Sequence, residues 1–409
     1  VKRIFVWVRC ADAIVQLVGE LVTTEPDRAS GHFESEFEYA PSWLTLPGAF
    51  ALDPESLPLV AAQRFRGELF YPPLAVVDDA LPDDWGRRLL VRAMTSEGQR
   101  VTPPDMLLRL RGGGTGALLF TPTEAVPRPD ESLPSTALAK LLAAASKFEA
   151  GTLATGDEFR RLLEGSSRAG GARPKALVHD AVGEWLAKFP SRSRDAAVDL
   201  VGLEATCLSL ARRAGLEVPD SRLQAVGARR ALLVRRFDVV AGGGRRHMLS
   251  MRSLCRERPG VYAQRYTDVA MVLRRHSAAP AEDIARLFRL MAFNAAIGNV
   301  DDHLKNFWML MRPDGFRLSP AFDLVPDIDG RGQHTLAFGQ GFDCPVRTVL
   351  LDVAREWGVG RADDMLDEVI RATAAFSATA RRLAVRYPVS LSRVAADVRR
   401  RSGLLRSRT

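Results

Sequence analysis

Residues 280–323 constrain this chain more than any other stretch. In AEDIARLFRLMAFNAAIGN, Ile284, Leu287, Phe288, Met291 and Ala295 recur at helical spacing, so one face of a long helix must be buried. Gly298 supplies the left-handed residue that ends such a helix. A polar loop, NVDDHLKN, follows, then FWMLM and FRLS around the turn RPDG, and then PAFD. The pattern predicts a helix, a charged loop, a two-stranded hairpin and a second loop. Loops braced by a helix and a hairpin are where binding and catalytic side chains concentrate.

The residue types on these loops suit phosphoryl transfer, which needs the phosphates held, their charge neutralised and a carboxylate placed at the acceptor hydroxyl. Asp301 and Asn306 stand five residues apart, a spacing that offers both a base and a metal-binding amide. Asp323, beyond the hairpin, offers a hard anionic oxygen to Mg²⁺. Lys188 ends a predicted strand, where an ammonium can meet the α/β-phosphates, and a Gly-rich turn, GSSRAGGARPK, stands one hairpin before it. Each feature alone is common; their order along the chain is the signal. Asp302 adjoins Asp301, and either carboxylate could be the base. The spacing to Asn306 favours Asp301 and leaves Asp302 to cap or stiffen the loop, so Asp302→Ala is expected to retain activity. His303 is a poor Mg²⁺ ligand, since Mg²⁺ prefers oxygen, and is expected to fix the loop by hydrogen bonding. Lys305 is placed either to approach the transferred phosphoryl group or to sit in solvent. Glu204 is a candidate ion-pair partner for Lys188.

The first hundred residues mix short β-like runs such as IFVWV and IVQLVGEL with Pro-punctuated loops. Asp83 and Asp84 are placed to cap a helix running through Trp85 to Met94. Four prolines in TPTEAVPRPDESLP set a boundary near 125–135. ALVHD and EWLAKF read as a hairpin, a helix is expected over about 196–214 with Val198, Val201, Ala205 and Leu208 on one face, and ALLVRRFDVV reads as a strand. Gly242–Gly244 reads as a bare hairpin loop, and RSGLLRSRT as a tail that frays off.

Composition excludes several classes. The four cysteines are scattered, with no C-x-x-C pair, and read as reduced thiols in a cytoplasmic protein. No apolar run approaches the ~18 residues of a membrane span. A net charge of +8 would gather nucleotides or other polyanions, and no nucleic-acid-binding motif accompanies it. G-x-x-x-x-G-K-[ST], G-x-S-x-G and H-E-x-x-H are all missing.

AGGARPKALV, GNVDDHLKNFWML and LSPAFDLVP, with FESEFEYAPSWL and LPDDWGRRLL nearer the start, resemble the HipA family, the kinase-like toxins of bacterial toxin–antitoxin pairs. The resemblance spans essentially the whole chain. It implies an α+β, protein-kinase-like two-lobed fold: a small mixed module over 1–130, a β-containing nucleotide lobe over 131–240 and a mainly helical catalytic lobe over 241–409. It implies ATP and Mg²⁺ as cofactors and Asp301 as catalytic base, with Lys305 beside it and Asn306 and Asp323 on the metal. Gly170, Gly171, Ala172, Arg173, Lys188 and His303 would contact the nucleotide, and Arg236–Phe237 would form the adenine-facing connector. The implied partners are a helix-turn-helix antitoxin, DNA only through that antitoxin, and a protein substrate, among which the family includes an aminoacyl-tRNA synthetase; no membrane is involved.

Two positions depart from the family pattern. Arg235 stands where many members carry a glutamate, and Ser167 lies eight residues before Lys175 rather than seven. Ser167, with Ser166 as the fallback, is the candidate autophosphorylation site. Two other readings of the same residues are a small-molecule kinase and a catalytically weak co-repressor partner of a DNA-binding antitoxin.

Overall fold

A computed structural model of the chain describes all residues except 28–32, 68–74, 111–113, 129–130, 154, 169, 192–194, 196, 256–263, 387 and 408–409, and the side chains of 388–390. The described residues divide into two compact units, Val1–Ser191 with Arg235–Leu249, and Arg192–Val234 with Ser250–Thr409. The segments expected from sequence, 1–130, 131–240 and 241–409, do not coincide with these units. The reason is packing: the helix Gly156–Ser166 lies against both the helix Asp84–Ser96 and the strand Lys175–His179, which ties residues after the proline-rich stretch to the N-terminal module.

In the first unit, five described strands form an antiparallel sheet in the order Arg64–Arg66, Ser35–Tyr39, Val15–Thr23, Lys2–Arg9, Leu118–Thr121. Ser35–Tyr39 shows why a strand forms there: Ser35, Phe37 and Tyr39 point inward while Glu36 and Glu38 stay half-exposed, the period-two alternation of a half-buried sheet. The expected helix after Asp83 runs Asp84–Ser96 and buries Trp85, Leu89, Leu90, Ala93 and Met94 on one stripe. Lys175–His179 and Glu184–Lys188 form the expected hairpin, with Lys175 directly opposite Lys188. Asp180 closes its turn, its carboxylate accepting from the Val182 and Gly183 amides at 2.9 and 3.1 Å and from the Trp185 indole at 2.9 Å. Gly242–Gly244 is more than a bare loop. A Cβ on Gly244 would lie 1.9 Å from the Ala11 carbonyl oxygen, and the Arg245 amide donates to Cys10 O at 3.1 Å, so this turn is docked on the turn between the first two strands.

Ser221–Val226 and Arg229–Arg235 form an antiparallel hairpin that belongs to the second unit as far as Val234. The helix expected from about 196 begins at Leu200, because the Asp199 carboxylate caps it by accepting from the Gly202 amide at 3.1 Å; Val198 therefore lies outside it. The long helix runs Pro280–Ile297, with Ile284, Leu287, Phe288, Met291 and Ala295 all buried. Burying Leu287, Phe288 and Met291 contributes about 1.5–3 kcal/mol each. The helix packs on Tyr266–His276, Ala362–Ala374 and Pro388–Arg406.

Its first turn is fastened to the predicted hairpin, Trp308–Arg312 with Gly315–Leu318. Asp283 accepts from Ser277 Oγ at 2.6 Å, Arg317 Nε at 3.0 Å and the Leu318 amide at 2.9 Å. Burial pushes the Asp283 carboxyl up, and these donors together with Arg286 outweigh it and hold it below the usual range. One end of the helix thus grips the hairpin while the other launches the polar loop. The C-terminal segment does not fray as expected: Pro388–Arg406 is a helix whose Val394, Val398, Arg401 and Leu405 are buried at helical spacing. Among the described residues no helix is long and apolar enough to cross a membrane.

Candidate active site

Gly298, at φ +70°, ends the long helix, and residues 299–307 follow as the loop. The five-residue spacing of Asp301 and Asn306 has a direct geometric outcome. A single 3-10 turn, Leu304–Asn306, folds the asparagine back so that its Nδ2 donates to the Asp301 carbonyl oxygen at 2.7 Å. With Nδ2 committed, Oδ1 is the acceptor the amide has left for a ligand. His303 begins this turn, its carbonyl accepting from the Asn306 amide at 2.8 Å, and the Lys305 carbonyl accepts from the Trp308 indole at 2.7 Å. The loop backbone is therefore pinned at both ends.

The two adjacent aspartates occupy opposite environments. The Asp301 side chain is 56% exposed and faces Arg331 Nη1 at 3.2 Å. The Asp302 side chain is fully buried; it accepts from Tyr266 OH at 2.6 Å, His334 Nδ1 at 3.1 Å and the Thr335 amide at 2.8 Å. Asp302 stiffens the loop with its carboxylate, by tying it to residues 334–335 and to the helix Tyr266–His276. Burial, with the neighbouring Asp302 carboxylate, pushes the Tyr266 phenol well up, which keeps Tyr266 a donor to that carboxylate.

Arg331 is positioned by a turn that the sequence did not announce. The Asp327 carboxylate accepts from the amides of Asp329, Gly330, Arg331 and Gly332 at 2.8–3.2 Å. Partial burial raises the Asp327 carboxyl, but these four amides win and hold it below the ordinary value. Asp323, after the hairpin, adopts φ +56°, a left-handed conformation that costs a non-glycine residue about 1 kcal/mol or more. Strain of that kind persists where the surrounding structure holds a side chain in one chosen direction.

In the first unit the Gly-rich loop is clamped by the start of the helix Asp84–Ser96. Asp83 precedes that helix and does not cap it with its side chain. Its carboxylate instead accepts from the Gly171 amide at 3.0 Å, while the Trp85 amide donates to the Gly171 carbonyl at 3.1 Å and the Trp85 indole donates to Lys175 O at 3.2 Å. Gly171 sits at φ +99°, and a Cβ there would lie 2.0 Å from the Lys175 ammonium. A Cβ on Gly86 would lie 2.5 Å from the Ser167 carbonyl oxygen, so the helix rests directly on the loop backbone. A Cβ on Gly170 would lie 3.0 Å from Asp83 Oδ2, Ala172 and Arg173 are half-buried, and Lys188 is half-buried on the strand opposite Lys175. Ser166 is fully buried in the last turn of its helix and Ser167 is only 5% exposed; the neighbouring Ala169 lies outside the described residues.

The clamp leads to one prediction. Asp83→Ala removes an amide-to-carboxylate hydrogen bond worth about 1.5–3 kcal/mol, so hydrogen exchange at the Gly171 amide should accelerate by about 10- to 100-fold. Unchanged exchange would show that the contact restrains nothing.

The connector residues Arg236 and Phe237 belong to the first unit. Arg236 is buried, and its guanidinium donates to Asp238 Oδ1 at 3.1 Å, Glu184 Oε2 at 3.2 Å and Gly114 O at 3.1 Å. That side chain is committed to holding the first unit together, and the Arg236 amide donates to Glu184 O at 3.0 Å, so an adenine contact at Arg236 would fall to its carbonyl. The Phe237 carbonyl accepts from Arg246 at 3.2 Å.

Among the described residues no three His, Cys, Asp or Glu side chains converge as a metal cluster. Mg²⁺ in phosphotransfer is commonly held by one or two protein oxygens plus phosphates and water, so Asn306 Oδ1 and the Asp323 carboxylate fit it chemically. Several residues of the two loops' supports carried no sequence signal of their own: Tyr266, Asp327, Arg331, His334 and Arg401. Asp83, Trp85 and Gly86 were legible as a helix start, and Lys175 as part of the Gly-rich motif, without their mutual contacts being so.

A family model described as a HipA-like C-terminal domain matches residues 167–377. Y4mE of Sinorhizobium fredii, a presumptive kinase, is 27% identical over 333 residues, covering 73% of each chain. A second presumptive kinase of that organism, Y4dM, is 30% identical over 181 residues, 39% of this chain and 42% of its own. Among solved structures, HipA of Shewanella oneidensis MR-1, determined in a complex with HipB and operator DNA, matches with a TM-score of 0.68 at 18% identity, covering 95% of both chains. That likeness establishes the kinase-like α+β fold with its mixed N-terminal module.

Proposed function

Because this chain belongs to the HipA-like family of toxin kinases, we propose that it transfers the γ-phosphoryl group of ATP to a serine or threonine hydroxyl of a protein, with Asp301 as the acceptor-positioning carboxylate. The observation that carries the reading is the division of labour on the loop: Asp302 is sealed in as a brace, while Asp301 faces solvent on a backbone that Asn306 locks in place. A rigid loop presenting one accessible carboxylate is what positioning an acceptor requires. Asp301 orients the hydroxyl and takes its proton as the new oxygen–phosphorus bond forms. Asn306 Oδ1 and Asp323 would hold Mg²⁺, which when bound neutralises the phosphate oxygens. Lys305 serves the transferred group, and His303 keeps the turn between Asp301 and Asn306 closed while bordering the nucleotide.

In the first unit, Gly170–Arg173 and Lys188 serve the phosphates. Lys175 and Lys188 are directly opposed across the hairpin, which sets both side chains on the same face of its two strands. Arg236–Phe237 contributes main-chain groups toward adenine. The natural partner in this reading is a helix-turn-helix antitoxin, through which the chain would reach DNA, as the HipA–HipB–operator complex illustrates. An aminoacyl-tRNA synthetase is the first acceptor to try.

Incubation of the chain with γ-labelled Mg·ATP and whole bacterial lysate tests the proposal. Label should enter protein, with peptide mass spectrometry placing a phosphate of about 80 Da on Ser or Thr. Label confined to metabolites would instead establish a small-molecule kinase, and no turnover beside intact antitoxin binding would leave a co-repressor. The same peptides report on Ser167 and Ser166: both are buried, so autophosphorylation requires the loop to leave its clamp, and Asp83→Ala should raise it. Asp323→Asn should weaken nucleotide binding with Mg²⁺ by about ten-fold and leave metal-free binding within about two-fold, since it trades an anionic ligand for a neutral one of the same shape. Equal losses in the two calorimetric titrations would make Asp323 a structural residue.

A further inference from the structure

Beneath the loop lies a buried polar chain that reaches the C-terminal helix. Arg401, 1% exposed, donates through Nε to Asp397 Oδ2 at 2.6 Å and through Nη2 to Gly332 O at 3.2 Å. Gly298 lies flat against it; a Cβ there would sit 2.7 Å from Arg401 Nε. The third contact of the guanidinium is with His334 Nε2, 3.3 Å from Nη1, and the other ring nitrogen faces Asp302 Oδ2 at 3.1 Å.

These contacts leave one arrangement of protons. A guanidinium has only donors and does not lose its proton, so His334 Nε2 must be the acceptor. The ring hydrogen then resides on Nδ1 and is donated to Asp302. Tyr266 OH donates to the same Asp302 oxygen at 2.6 Å and accepts from Asn294 Nδ2 at 3.0 Å; Asn294 Oδ1 accepts from Asn299 Nδ2 at 3.1 Å. A carboxylate only accepts, so His334 Nδ1 and Tyr266 OH both donate to Asp302, and the direction of the His334 bond follows from Arg401.

We infer that Arg401 is a positioning residue for phosphoryl transfer: it fixes His334 as the neutral Nδ1–H tautomer, which secures Asp302 and so the loop that presents Asp301. The inference rests on the reading of Asp301 given above. It predicts that loosening a residue on the last helix, with no contact to the acceptor, slows transfer without weakening nucleotide binding.

The first measurement reads the parent protein directly. Side-chain ¹⁵N spectra of the His-labelled protein, with His334→Asn used to assign its ring among the six histidines, should show His334 with a protonated Nδ1 and an unprotonated Nε2 at neutral pH. A protonated Nε2 overturns the inference. The second measures transfer of γ-label from ATP into lysate protein. Arg401→Met should lower the saturated rate by roughly 10- to 100-fold, with half-saturating ATP within about two-fold of the parent. His334→Asn keeps an N–H donor toward Asp302 and has no tautomer to fix, so adding it to Arg401→Met should recover most of the lost rate. A purely structural Arg401 would give no recovery, and an unchanged Arg401→Met rate would also overturn the inference. If Asp301→Ala remains active while the tautomer is as stated, the reading of Asp301 has failed rather than the network.

Discussion

Asp301→Ala should lower phosphoryl transfer by about 10²- to 10⁴-fold, the contribution typical of a positioned acid–base group, while the melting temperature stays within error of the parent. The structural reason is that the Asp301 side chain is 56% exposed and its ion pair with Arg331 is between exposed groups. Such a pair contributes at most about 1 kcal/mol to stability. The backbone bond that shapes the loop, from Asn306 Nδ2 to the Asp301 carbonyl, survives the substitution. Nucleotide binding should therefore be nearly unchanged. Transfer within a few-fold of the parent would remove Asp301 from the mechanism and turn attention to the small-molecule and co-repressor readings.

Asp302→Ala should do the reverse of what its sequence position suggests: the variant should lose stability first and activity as a consequence. Truncation strands Tyr266 OH, the Thr335 amide and the His334 Nδ1–H in a site with no solvent, at about 1–3 kcal/mol for each unpaired donor. Asp302→Asn, which keeps the volume and one acceptor oxygen, should lose less. Urea denaturation of both variants, read beside transfer rates, separates the two aspartates cleanly. A stable and active Asp302→Ala protein would mean that the brace is dispensable and that Asp301 is held by Asn306 alone.

These two neighbours show where sequence reading runs out. The spacing of Asp301 to Asn306 is a local property, and a single turn of chain converts it into a hydrogen bond, so the pair was legible. So were the buried stripe of Pro280–Ile297, its glycine stop and the two hairpins, because helix and strand periods are written into nearest-neighbour chemistry. The expected fraying of RSGLLRSRT failed for the opposite reason. Its arginines look like a solvated tail until Arg401, paired with Asp397 one helical turn back, also finds Gly332 and His334, partners that folding alone brings together.

By itself, then, the sequence determined the order of elements, the loop that carries Asp301 and Asn306, the place of Asp323 beyond the hairpin, and the Gly-rich turn ahead of Lys188. Each depends on residue type and on spacings of a few positions. Only the tertiary structure decided that Asp302 is a brace and Asp301 the open carboxylate, that Asp83 holds Gly171 instead of capping its own helix, and that Arg236 is bound into a buried ion-pair cluster. Those outcomes depend on which polar groups lose their water together. A buried carboxylate or guanidinium must find its partners wherever the fold has put them, 32 residues away for Asp302 and His334 and 88 for Asp83 and Gly171.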